Sequence, residues 1–140
     1  MANTYAAEVA GLGTVPETNS NGAVQGGRLR RFRATITLAA QADGDTVVLA
    51  RVPAGHAFAY GIINASATLG SSTVAIGVAG TAAKYRAAAT FTAAAPTLFG
   101  AVAAVDDAPL TAPEVVILTN TTAALPGSGT LVVDLYYSAP

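Results

Sequence analysis

A single histidine, two pairs of acids, a few serines and one dense run of arginines are the residues with which this chain could do chemistry. His56 is the only histidine, it falls in Pro53-Ala54-Gly55-His56, and there is no cysteine. One imidazole without thiolates or a carboxylate cluster is a poor metal site. A serine triad would need His56 as its base, yet no nucleophile-elbow motif surrounds Ser66, Ser71 or Ser72. His56 reads as a solvated turn residue. Asp43/Asp45 and Asp106/Asp107 are paired carboxylates. Glycosidase chemistry needs such acids to face each other across a cleft, and Asp-Gly-Asp offers two acids where calcium takes six or more ligands. Both pairs read as turn chemistry. Gly11-Leu12-Gly13 has neither the full spacing of a phosphate loop nor its following Lys-Ser/Thr. The expectation is a protein without catalytic residues, metal or cofactor, and not an enzyme.

The arginines are different. Arg28, Arg30, Arg31 and Arg33 are four of only seven basic residues. In a strand that begins at Arg28, Arg31 and Arg33 share the solvent face, while Arg28 and Arg30 share parity with Phe32. The cluster suits phosphates, or carboxylates on a partner, which guanidinium binds in planar, bidentate fashion. It also suits a solvated strand edge that blocks sheet-to-sheet association. Nucleic acid is not an expected partner, because the net charge is -1 and no aromatic or basic platform extends the patch.

The elements that must carry these residues are strands. Residues 1–27 stand apart: they hold Gly11, Gly13, Gly22, Gly26, Gly27 and Pro16, and their apolar residues follow neither helical nor strand period. This segment reads either as a disordered tail or as an extended arm that orders on a neighbouring subunit. In the second case Tyr5, Val9, Leu12, Val15 and Val24 are the anchors. From Arg28 onward alternation dominates. Phe32, Ala34, Ile36 and Leu38 share one face of a strand, and Asp43-Gly44 turns it into a returning strand over residues 46–52. Further strands are predicted over 58–69 (one long strand, or two joined by a bend at Gly61 or Asn64), 73–78, 97–102, 114–120 and 130–137. The alanine-rich stretch 81–95 suits a short helix by propensity. However, the shared parity of Tyr85, Ala87, Ala89 and Phe91 favours strand or irregular structure. The fold class is therefore all-β: a single β-sandwich or jelly-roll-like barrel of about seven to nine short strands over residues 28–140.

Composition sets the role of such a fold. Hydrophobic residues make up 52% and charged residues 11%, against roughly 25% charged in an ordinary soluble domain. Mean hydropathy is +0.49. No stretch approaches the roughly 18 apolar residues of a spanning helix, and the first residues lack the pattern of a secretory leader. The expectation is cytoplasmic synthesis and no membrane partner. Sparse charge and exposed apolar surface promote association. Abundant Ala, Gly and Thr bury little area each at about 25 cal/mol per Å². The chain reads as one that gains stability by assembling with copies of itself.

Gly27-Arg28-Leu29-Arg30-Arg31-Phe32-Arg33-Ala34-Thr35-Ile36, with Val52-Pro53-Ala54-Gly55, Gly61-Ile62-Ile63, the run from Leu69 to Gly77 and a lone Tyr85, resembles small structural proteins of tailed bacteriophages. The resemblance runs from about Gly27 to Tyr137 and is greatest to head decoration or cement proteins. It implies a symmetric homo-oligomer, with a trimer favoured, bound to the major capsid protein on the outer head surface of the virion after synthesis in the host cytoplasm. The arm anchors named above and the four arginines are then the partner interface. An alternative is a tail- or fibre-associated sandwich that recognises carbohydrate, for which Tyr136-Tyr137 is the best aromatic platform.

Overall fold

A computed structural model of the chain describes residues 10, 14–19, 21–105 and 108–140. Eight strands follow one another: β1 (Arg28–Thr37), β2 (Thr46–Val52), β3 (Ala57–Ala65), β4 (Thr73–Val78), β5 (Thr81–Thr90), β6 (Thr97–Phe99), β7 (Glu114–Thr121) and β8 (Thr130–Ala139). One short helix, α1 (Val102–Val105), precedes β7. The strands form two antiparallel four-stranded sheets, ordered β1-β8-β3-β6 and β2-β7-β4-β5. The pairing is nested: β1 with β8, β2 with β7, β3 with β6 and β4 with β5. This is the order of a jelly-roll sandwich, a hairpin of strands rolled up on itself.

Period two decides which side chains meet between the sheets. In β8, Leu131, Val133, Leu135 and Tyr137 are all buried. They oppose Val116 and Leu118 of β7, Val74 and Ile76 of β4, and Tyr85 of β5 in a single core. Leu38, Leu69, Phe91 and Leu125 close its ends. The alanine-rich stretch is strand to Thr90, and the buried Tyr85 and Phe91 bracket its exposed alanines. Side-chain parity therefore prevails over alanine's helix propensity, because only a strand delivers Tyr85 to the core at this place.

Three expectations change. The turn at Asp43-Gly44 exists, with Gly44 at φ 88°, but it does not fold β2 back onto β1. The chain crosses to the other sheet instead. Buried Leu38 and its following residues are tied to the loop before β8: Leu38 N donates to Gly129 O (2.9 Å), Ala40 N to Pro126 O (3.0 Å) and Leu125 N to Gln41 O (2.9 Å). With these bonds the connection is stitched across the top of the sandwich, and β1 is free to pair with β8. The strand expected over 58–69 ends at Ala65, and its irregularity lies between Phe58 and Tyr60 in the pairing with β8. That extra residue switches parity, so Phe58 and Ile63 both face inward while Tyr60 and Ile62 face outward. The strand expected over 97–102 stops at Phe99 and gives way to α1, which turns Ala104 into the core. Phe99 opposes Gly61 across the sheet. A Cβ at Gly61 would fall 2.2–2.6 Å from the Phe99 ring, so the glycine makes room for an aromatic lid on its own strand.

Two leucines separate core from surface. Leu118→Ala empties a fully buried site and is expected to cost about 2–5 kcal/mol, whereas Leu98→Ala, at a position 69% exposed, is expected to change unfolding free energy by less than about 0.5 kcal/mol. Urea denaturation of the two variants checks the contrast.

Candidate assembly surface

The arginine run lies where β1 begins, and the structure divides it. Arg33 stands opposite Asp134 in the β1–β8 register. Its Nε donates to Asp134 Oδ1 and its Nη2 to Oδ2, both at 2.7 Å. The carboxylate side chain is 8% exposed and the guanidinium 51%. These two hydrogen bonds and the adjacent positive charges of Arg33 and Arg31 hold the Asp134 carboxyl below the usual carboxylate range, against the opposing effect of partial burial. Arg28, Arg30 and Arg31 are exposed and form no ion pair with a described residue.

Next to Asp134, on the outward face of the same sheet, the Tyr60 and Tyr136 rings stack at 4.6 Å and 15°. Ile62 and the exposed Leu98 continue that face. Tyr137, the other half of the aromatic platform expected for a sugar, is fully buried in the core. The platform is thereby reduced to Tyr136, and Tyr60 covers one of its faces.

At the end of the sandwich where β1 and β3 start and β8 finishes, an open depression of about 650 Å³ is lined by Arg30, Phe32, Pro53, Ala54, Gly55, His56, Ala139 and Pro140. Its position follows from strand parity: Arg28, Arg30 and Phe32 point to the inner side of β1, but the core ends at Phe32, so the first turns of that face have nothing to pack on. His56 is half-buried here. Its ring meets the edge of Phe32 at 5.9 Å and 68°, and Phe32 meets Tyr137 at 5.7 Å and 88°. The histidine is thus less solvated than its turn sequence suggests, since it caps an aromatic stack that runs through Tyr137 and Phe58 to Tyr85.

Beneath the stack sits a small polar network. Lys84 Nζ donates to Glu114 Oε2 at 2.6 Å, and the Tyr85 hydroxyl donates to Glu114 Oε1. Burial first, and then the hydrogen bond to Glu114, push the Tyr85 hydroxyl far above its ordinary value. It stays protonated and acts as a fixed donor. Sequence reading missed this network because its members come from β5 and β7, which are neighbours only through β4.

The remaining candidate groups serve the fold. Asp45 Oδ2 accepts from Ala42 N (2.8 Å), and Gly44 N donates to Asn120 O (2.9 Å), so this acid pair shapes a turn. Asp106 and Asp107 lie outside the described residues. Ser66 Oγ accepts from Thr130 N (2.9 Å). It follows β3 while His56 precedes it, and at ~3.3 Å per residue the strand holds them roughly 30 Å apart. Among the described residues no three His, Cys, Asp or Glu side chains group as a metal site, and no helix is long and apolar enough to cross a membrane.

Of the arm anchors, Tyr5, Val9 and Leu12 lie outside the described residues. Val15 is fully exposed and Val24 partly so. Ala23 is buried, and its carbonyl accepts a hydrogen bond from the Ser138 hydroxyl. Asn21 organises the turn by accepting from Ala23 N on its side chain (2.9 Å) and from Gln25 N on its carbonyl (2.8 Å). A Cβ at Gly27 would meet Ala23 O at 2.7 Å and Ala139 O at 3.0 Å. The segment is therefore fastened to the end of β8 at Ala23 and Gly27, while Thr14–Asn19 are exposed throughout.

No family model and no curated protein matches this sequence. Among solved structures, a chain of the capsid of Ralstonia phage GP4 has the same fold, with TM-score 0.67 and 21% identity over 81% of this chain and 86% of that one. A chain of the cyanophage Pam1 capsid asymmetric unit matches with TM-score 0.62 and 18% identity, over the same shares of both chains. The fold of this protein is thus one that also occurs in phage capsids.

The Arg33–Asp134 pair has a defined pH signature. A depressed carboxyl contributes stability that is present above its ordinary value near 3.9 and is lost as pH falls through the lower folded value. Asp134→Asn is expected to melt several degrees below the parent at pH 7, with the gap closing as the pH falls below the ordinary carboxylate value. Thermal melts at successively lower pH check it.

Proposed function

We propose that this chain is a structural protein of a tailed-phage virion, a head decoration or cement protein that binds the major capsid protein lattice on its outer surface. The observation that carries the reading is the jelly-roll fold, shared with chains of two phage capsids. Exposed apolar side chains support it from a second direction. Leu29, Val48, Leu98, Val102, Val105 and Val115 are all large and exposed, and they occupy more than one face of the sandwich. A charge-poor chain with apolar groups on several sides is suited to contact several neighbours at once.

In this reading the protein acts by mass action. It binds the assembled lattice and not free subunits, so it stabilises the shell by RT ln(1 + [L]/Kd), about 2.7 kcal/mol at a hundredfold excess over Kd. The protein works as a homotrimer, the exposed arginines meet carboxylates on neighbouring chains, and residues before Asn21 reach over subunit boundaries. No catalytic step or cofactor is part of the proposal.

Shells lacking the protein provide the test. Adding the full chain is expected to raise the temperature at which shells release their DNA. A chain without residues 1–20 is expected to keep its circular dichroism and melting curve yet lose most of that gain. Shell occupancy unchanged by the truncation would remove the arm from the mechanism, and no binding to any shell by the full chain would overturn the decoration reading.

A further inference from the structure

The segment before β1 and the depression beside β1 match each other in charge and polarity, yet no described residue of the segment lines the depression of its own chain. Residues 1–27 contain Glu8 and Glu17 and no lysine or arginine. The next six residues contain four arginines, of which only Arg33 is committed to a carboxylate among the described residues. The depression has an apolar floor of Phe32, Pro53, Ala54, Ala139 and Pro140, with Arg30 at its rim. Val15-Pro16-Glu17 offers two apolar residues followed by a carboxylate. Thr14–Asn19 are exposed throughout, and Val15 is 100% exposed. Among the described residues, none of the segment lines the depression, and Val15 stands in solvent.

Both features lie at the same end of the sandwich. The turn over 21–27 is fastened to Ser138, one residue before the Ala139 that helps line the depression. A segment that departs from this place with Val15–Glu17 exposed is positioned to cross to a neighbour apposed at the same end.

We propose that Val15–Glu17 of one copy docks in the depression of a second copy, with Val15 and Pro16 against Phe32, Pro53 and Ala54, and the Glu17 carboxylate on Arg30. This deepens the arm reading above by naming the occupant and its seat. The contact is heterologous: a segment of one copy meets a different surface of the next. It therefore closes into a ring when the rotation between copies allows, as in a trimer. Burial of Val15 supplies the apolar gain, and the Glu17–Arg30 pair fixes register and partner choice.

The natural absence of cysteine makes the test clean. Purified Val15→Cys/Ala54→Cys chain, oxidised and run on a non-reducing gel, is expected to give covalently linked copies. A product that remains a single chain, linked internally or not at all, would overturn the exchange. Glu17→Arg and Arg30→Glu are each expected to weaken self-association by roughly tenfold, and the double variant to restore it, as measured by sedimentation across a concentration series. Association unchanged by either reversal, or a parent that stays monomeric, would also overturn it. Both readouts use the purified chain alone. Failure to bind phage shells would therefore count against the decoration role while leaving this contact standing.

Discussion

The register of β8 between β1 and β3 is the constraint on which the rest of the molecule rests. β8 is the inner strand that carries Leu131, Val133, Leu135 and Tyr137 into the core, all 0–1% exposed. Because side chains alternate strictly, a slip of one residue would turn this whole set outward and bring Asp134 and Tyr136 in. The outward face holds the register. Arg33 lies opposite Asp134 on one flank, and Tyr60 lies opposite Tyr136 on the other, the first joined by two charge-assisted hydrogen bonds and the second by ring stacking. One ionic and one aromatic clasp, on adjacent residues pairs of one strand face, make the correct alignment cheaper than its neighbours.

This arrangement also redefines the arginine run. Four like charges within six residues look uniform in the sequence, but parity and register give them separate roles. Arg33 belongs to the sheet. Arg30 borders an apolar hollow, and Arg28 and Arg31 face solvent where β1 overhangs the core. The hollow lies where β1 continues for four residues beyond Phe32, paired to β8 but outside the core cluster.

Most of the strands were legible because their faces alternate: β2 and β4 begin and end where alternation and turn residues place them, and β8 extends only two residues further. Legibility fails where a long-range partner decides the outcome. Asp43-Gly44 has the local chemistry of a hairpin turn, yet hydrogen bonds from residues near 126 and 129 carry that connection to the other sheet. Nothing in residues 38–46 reports those distant partners. The parity switch at Ala59 is invisible for the same reason, since a bulge is defined against the opposing strand. For the candidate surface, the arginines stood out by type and spacing, and Val15 only as one of five scattered apolar residues of the arm. The hollow did not, because Pro53–His56 and Ala139–Pro140 come together only once the first and last strands pair.

That nested pairing has a consequence for how the chain comes into being. Of the eight strands β1 is made first, and it waits for a partner some hundred residues away, so its Phe32, Ala34 and Ile36 side stays uncovered until β8 has been made. Contacts this distant in sequence form slowly, and an unpaired apolar strand is open to wrong partners meanwhile. The arginines interleaved along β1 keep that waiting strand soluble and repel identical strands on other nascent chains. The same charges that mark the finished surface thus protect the polypeptide during its synthesis.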